Sequence, residues 1–400
     1  MDVLSGSLLW PKENGPIRTY PPLQEDISCD VAIVGAGIIG ALLAYRLSAQ
    51  GYSVTVLDKR DVAGGSTSAS TALLMPNLDV NLTDLTKMIG RKKAIRAYRL
   101  SKRSVTDIKQ LLEELNIGCD YKEKKILYVA SEKSDAKMMK KECALLKEAG
   151  FNAEYADRNA LKETFGLENE AAIICHEAAE VDPYVFTHEL IRHAVQKGAK
   201  VYAHTKVTGY QQKKNKTVLK TKHAKVTARQ VVMATGYESV QYLEQNIVQL
   251  KSSYVIASKP VPDLEKHWLN DYLVWETARP YLYIRTTCNH RILVVGEDID
   301  TVNDKKRDRL IAKKSKLLER KFEALIGNLP LETEYSWAGT FGESADGLGY
   351  IGVPKGYKHI YFALGFGGNG VTFGVIAADM LSRMIVDGKA EDEELFSFKR

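Results

Sequence analysis

Cysteine is scarce in this 400-residue chain, and the few cysteines cannot form a framework. Cys29, Cys119, Cys143, Cys175 and Cys288 make no CxxC pair, and an odd number cannot all pair internally. This excludes a disulfide scaffold and a cysteine-built zinc site, and points to a reduced, cytoplasmic protein. The eight histidines are scattered, and His188 and His193 stand five apart rather than the four that share a helical face. No metal site is therefore expected. Long apolar runs are missing too. The longest, Val31 to Tyr45, is broken by glycines and falls short of the roughly 20 residues a membrane span needs. The opening MDVLSGSLLW lacks the basic flank of a signal peptide. Charge is nearly balanced: 56 basic against 50 acidic residues give +6, too mild for a dedicated nucleic-acid binder. There is no repeat of 20–50 residues and no low-complexity segment.

What remains is the composition of a large-cored globular chain, 45% hydrophobic and 26% charged, with a length that suits two or three domains. A polar leader with Pro11, Pro16, Pro21 and Pro22 is expected to run extended over the surface. It is followed by strand, turn and helix in VAIVGAGIIGALLAYRLSAQG (31–51), then by a strand SVTVLD (53–58). Residues 83–116, 133–149, 182–197, 305–326 and 371–385 have helical periodicity; KKILYVA (124–130), ARQVVMATG (228–236), LKSSYVIASKP (250–260), RPYLYIRTT (279–287), HRILVVGED (290–298) and HIYFAL (359–364) read as strands. The α/β signals lie at 30–75, 182–240 and 335–400, with strand-rich segments between them. We therefore expect an α/β protein: a discontinuous Rossmann-like domain of 1–77, 180–245 and 335–400. A mainly antiparallel α+β substrate domain, 78–179 and 246–334, is inserted in it.

Gly35, Gly37 and Gly40 form GxGxxG between the first strand and its helix. The first glycine permits the tight turn, the second lets backbone approach a pyrophosphate, and the third lets helix pack on strand. The helix N-terminus offers free N–H groups to phosphate. Asp58 ends the next strand, where a carboxylate can accept both ribose hydroxyls and repel a 2′-phosphate. Three later features select FAD over NAD. GGSTSASTALL (64–74) supplies short donors, Ser66, Thr67, Ser70 and Thr71, where pyrophosphate and ribityl chain could run. QVVMATG (230–236) ends in Gly236 and can close over a dinucleotide. LGFGGNGVTFG (364–374) is another strand–glycine–helix unit whose dipole could stabilise charge at the flavin N1–C2=O edge. The cofactor candidates are Gly35, Ala36, Gly37, Ile38, Ile39, Gly40, Asp58, Lys59, Ser66, Thr67, Ser70, Thr71, Val207, Ala234, Gly236, Gly365, Gly367, Gly368, Asn369, Gly370 and Val371.

These motifs, with LLWP and YPPL in the leader, YLYIRTTCNHRILVVGED and WAGTFGESADGLGYIG (337–352), resemble the D-amino-acid-oxidase-type flavoproteins over nearly the whole chain. That group includes glycine oxidase, sarcosine oxidase and gamma-glutamylputrescine oxidase, and the likeness is strongest to the last. The resemblance implies FAD, oxidation of a C–N bond in an amine by hydride transfer to flavin N5, imine hydrolysis, and electrons passed to oxygen or another acceptor. It also marks departures. Two arginines that bind the substrate carboxylate in glycine oxidase are replaced by Phe341 and Gly368. The residues that attach flavin covalently in other branches are replaced by Gly339 and Ala69, so noncovalent FAD is expected. A lysine that activates oxygen in sarcosine oxidases aligns with Val294. The substrate-contact candidates are Phe341 and, on strands of the inserted sheet, Tyr254, Tyr283 and Arg285. Arg285 suits either a remote substrate carboxylate or a structural ion pair. Basic residues crowd 91–103 and 305–321, either as solvated faces or as docking sites for an acidic partner. A tRNA-modifying flavoenzyme and a non-catalytic flavin binder are the rival readings; a nucleic-acid partner is the less expected, a small amine the more.

Overall fold

The structure is a computed structural model that describes residues 3–243 and 246–400. The outer ends of two expected segments, residues 1 and 245, lie outside these. Short apolar runs, buried at least over their inner ends, make the first sheet. Ile360–Leu364, Lys225–Met233, Ile27–Val34, Val54–Leu57 and Lys200–Tyr202 lie parallel in that order, and Tyr350–Gly352 is antiparallel on one edge. A parallel sheet must be covered on both faces. Helix Ile38–Ala49 is apolar almost all round and is accordingly sandwiched, packing against helices Pro183–Gln196 and Gly370–Val386.

The second sheet is mainly antiparallel. Its order is Leu4–Gly6, Thr333–Glu343, Gln249–Ser258, Ile292–Ile299, Leu282–Thr286, Tyr272–Glu276, Lys122–Val129, Ala171–Glu180, Leu73–Leu74; Ala153–Asp157 also pairs with Ala171–Glu180. Helix Asp304–Leu325 covers its outer face. Strand Thr333–Glu343, across which the expected boundary at 335 falls, belongs to this sheet along its whole length.

Two elements differ from expectation for local reasons. The single helix read over 83–116 is two, Leu82–Ile89 and Arg91–Leu115, because Gly90 adopts φ +86 between them. The leader is a surface strap only over residues 15–26, which are irregular and mostly exposed as expected; residues 4–14 are built into the fold. Leu4–Gly6 pairs with Trp337–Gly339, helix Leu9–Asn14 buries Trp10, and the Trp10 indole N–H donates to the Ser70 carbonyl at 2.8 Å. Among the described residues no helix is long and apolar enough to cross a membrane.

Candidate active site

The glycine turn is built by exclusion of side chains. Gly35 sits at φ +113, and a Cβ there would lie 2.3 Å from the Ala234 carbonyl oxygen. A Cβ on Gly40 would lie 1.9 Å from the Gly35 oxygen, so the helix touches the strand only because both positions are bare. Helix Ile38–Ala49 has no side-chain cap at Gly37 and no acid in its first turn. Its opening N–H, on Ile38, donates to Thr67 Oγ1 at 3.1 Å, which ties the Ser/Thr loop to the turn. Asp58 Oδ2 accepts from the Ala36 N–H at 2.6 Å and Oδ1 from the Arg60 N–H at 2.8 Å. Burial nevertheless holds its carboxyl above the usual range. Each oxygen keeps a lone pair for a hydroxyl.

From this turn a cavity of about 340 Å³ runs between the two sheets. Its far wall is the second sheet, where Ser253, Val255, Val295, Gly339, Phe341, Tyr281 and Tyr283 face inward. The last glycine turn closes one side. Here Asp79 comes so near that a Cβ on Gly367 would lie 2.4 Å, and one on Gly368 3.0 Å, from its carboxylate. Asp79 accepts from the Gly368 N–H at 2.7 Å, from Asn369 Nδ2 at 3.1 Å and from the Tyr283 hydroxyl at 3.3 Å. Thus Gly368, read as the loss of an arginine, is the space Asp79 fills. Burial and the Asp79 charge push the Tyr283 hydroxyl well above its ordinary range.

The cavity brings together most of the expected set: Gly35, Gly37, Ile38, Ile39, Asp58, Lys59, Ser66, Thr67, Ser70, Thr71, Val207, Ala234, Gly236, Gly365, Gly367, Gly368, Gly370 and Val371, with Tyr283 and Phe341 at the sheet end. Ala36, Gly40 and Asn369 stand just behind it. Two substrate candidates do not reach it. Tyr254 alternates out of phase with Ser253 and Val255, so it points into the core under helix Asp304–Leu325, its hydroxyl donating to the Arg307 carbonyl at 3.3 Å. Arg285 does share the Tyr283 face, but the chain at 71–72 lies over it. It is 2% exposed, donates to the carbonyls of Thr71 (2.5 Å), Val181 (3.0 Å) and Thr286 (2.9 Å), and pairs with Glu180 at 3.2 Å. Glu180 in turn holds the fully buried Lys124 at 3.2 Å. Of the two roles open to Arg285, this is the structural one. Val294 likewise faces the core; Val295 is the wall residue.

Sequence reading missed Asp79, Asp298, Glu343 and Tyr281, all of which line the sheet end. One signal was available: Gly296 inside a strand pattern marks a bulge, and a bulge re-aims its neighbours. The basic helix residues are largely accounted for at 91–103, where Arg91, Lys93, Arg96, Lys102 and Arg103 pair with Glu148, Glu394, Asp392, Glu177 and Asp107.

A family model described as "FAD dependent oxidoreductase" (DAO) matches residues 30–384. A Bacillus subtilis (strain 168) protein described as a Rieske 2Fe-2S iron-sulfur protein, YhfW, is 24% identical over 398 residues, covering 97% of this chain and 75% of that one. Gamma-glutamylputrescine oxidoreductase of Escherichia coli (strain K12) is 22% identical, covering 94% and 88%. Among solved structures, glycine oxidase from Geobacillus kaustophilus superposes with a TM-score of 0.79 at 21% identity, covering 93% of this chain and 99% of that one.

Proposed function

The chain belongs to the DAO family of FAD-dependent oxidoreductases, and from that premise we propose that it oxidises the C–N bond of a small amine or amino-acid derivative. The observation that supports this most is one continuous cavity joining the glycine turn and Asp58 to a wall of Tyr281, Tyr283 and Phe341. The bare Gly35–Gly40 contact and a helix N-terminus with no acid in its first turn suit a pyrophosphate, and Asp58 suits a ribose. The glycine turn, the Ser/Thr loop and Asp58 would hold FAD, which would supply the hydride acceptor for the carbon beside the amine nitrogen.

The protein's own residues orient and exclude. Phe341 packs on the aliphatic part of the substrate, where each buried methylene contributes about 0.8 kcal/mol. Tyr283 is fixed by stacking on Trp275, the ring planes 2° apart, and by its bond to Asp79. The imine then leaves for hydrolysis. Ala69 and Gly339 offer no atom for a covalent flavin link, so the cofactor is held noncovalently. All five cysteines are free, which suits a reducing, cytoplasmic compartment. The test is anaerobic mixing of the FAD-loaded protein with a panel of small amines, following the flavin absorbance. Bleaching by one or more of them is the expected result; a flavin that no amine reduces removes this reading and leaves a binding protein.

A further inference from the structure

The two central strands of the second sheet fall out of step beside the cavity. Tyr254 pairs with Gly296 and Ser252 with Ile299, so two steps along one strand match three along the other. From Val295, which faces the cavity, alternation would send residue 297 inward. The extra residue reverses this. Glu297, at φ +58, turns to the helix side and pairs with Lys314 (2.8 Å) and Lys321 (2.7 Å). Asp298 lines the cavity instead. Its Oδ1 is out of solvent and accepts no hydrogen bond of good geometry among the described residues, the Ser253 hydroxyl being the neighbour closest to bonding the carboxylate. An unsatisfied buried carboxylate oxygen is costly unless something completes it.

Two more carboxylates share this end, Asp79 and Glu343. Burial first, and then their mutual repulsion, raises the proton affinity of both Asp298 and Asp79. Two cations flank these acids without lining the cavity. Lys251 holds Glu343 at 2.7 Å, and Arg279 lies over the Tyr281 ring and donates to the backbone oxygen of Asp79, not to its carboxylate. Among the described residues, the basic side chains that line the cavity are Lys59, Arg60 and Lys206, on the segments flanking Asp58 at the dinucleotide end. Arg285, the one candidate for a substrate carboxylate, is walled off.

We propose that the substrate carries a second, protonated nitrogen remote from the reacting carbon, and that Asp298, with Asp79 and Glu343, holds it. The proposal rests on the reading of this cavity as the site of amine oxidation and adds the charge of the far end: a diamine or polyamine chain, not an amine ending in a carboxylate.

Binding tests it separately from turnover. The FAD-loaded protein is titrated calorimetrically at pH 8 with 1,5-diaminopentane, pentylamine and 5-aminopentanoate, which share a chain length and differ at the far end. The diamine is expected to bind at least about tenfold tighter than pentylamine, the effect of one charge-assisted contact, with the aminopentanoate weakest. Asp298→Asn is expected to erase most of that preference and Glu343→Gln part of it, with circular dichroism and FAD content unchanged. The proposal is overturned if the aminopentanoate binds as tightly as the diamine, or if folded Asp298→Asn keeps the full preference. Should Asp298→Asn not fold, the wild-type series and Glu343→Gln decide. A diamine preference in a protein whose flavin no amine reduces would sustain the cation site and refute the oxidation reading alone.

Discussion

Replacing Arg285 by leucine should cost stability rather than substrate affinity. The guanidinium is 2% exposed, donates to carbonyls on three separate segments and pairs with a Glu180 that is itself 1% exposed. Removing one partner of a buried pair costs about 3–5 kcal/mol. Lys124 stays beside Glu180, so the lower figure applies. Unfolding entropy near 2.1 cal/mol/K per residue gives about 0.84 kcal/mol/K for 400 residues, so ~3 kcal/mol lowers Tm by about 4 °C if the chain melts as one unit. Arg285→Lys keeps the charge, loses the forked contacts and should fall between. Differential scanning calorimetry on the FAD-loaded variants measures this. A Tm within about 1 °C of wild type, together with selective loss of affinity for a carboxylated amine, would refute the structural assignment.

Acid denaturation should leave the yellow colour in the supernatant, since Ala69 and Gly339 cannot carry a flavin bond; colour in the pellet would contradict this. Asp58→Ala should weaken FAD by about 1–3 kcal/mol, read by equilibrium dialysis. Burial, before the Glu343 and Asp79 charges, raises the Asp298 carboxyl to about 6, while Ser253 and Lys251 pull the other way. The folded value exceeds the unfolded one, so its contribution to stability is full below pH about 4 and is lost as pH rises through about 6. Asp298→Asn should flatten that slope in a Tm–pH series, and diamine binding should strengthen over the same interval in wild type only. Val295 places no cation on the sheet wall, so reoxidation by oxygen should be slow beside an artificial dye; equal stopped-flow rates would refute this.

The parts of the fold legible in sequence were those where one local rule acts alone. The glycine turn, its two strands and the closing GFGGNG helix are fixed by steric and dipole requirements of neighbouring residues, and they stand where expected. The helix break at Gly90 was also written locally and was passed over because periodicity continued through it. Strand Ala171–Glu180 carried no clean alternation, since it is covered on both faces at one end, and was missed. The site's acids were illegible for another reason. Asp79 faces the cavity only because residues 367 and 368, nearly three hundred positions away, are bare. Asp298 does so only through a register slip, which shifts parity by one and defeats counting by twos. For Tyr254, and for the choice left open at Arg285, the difficulty is the same: counting gives a face, not what lies over it.

The leader gives the molecule a temporal order. Leu4 finds its partner at Gly339, and the Thr340 N–H donates to the Val3 carbonyl, while Val3 lines the cavity. Because synthesis runs from N- to C-terminus, residues 4–6 cannot make this pairing until strand Thr333–Glu343 has been synthesised. The leader segment therefore docks only after that strand exists, and the cavity stays open on that side until then. A dinucleotide reaching the glycine turn meanwhile meets an unfinished wall, so binding and closure can occur together.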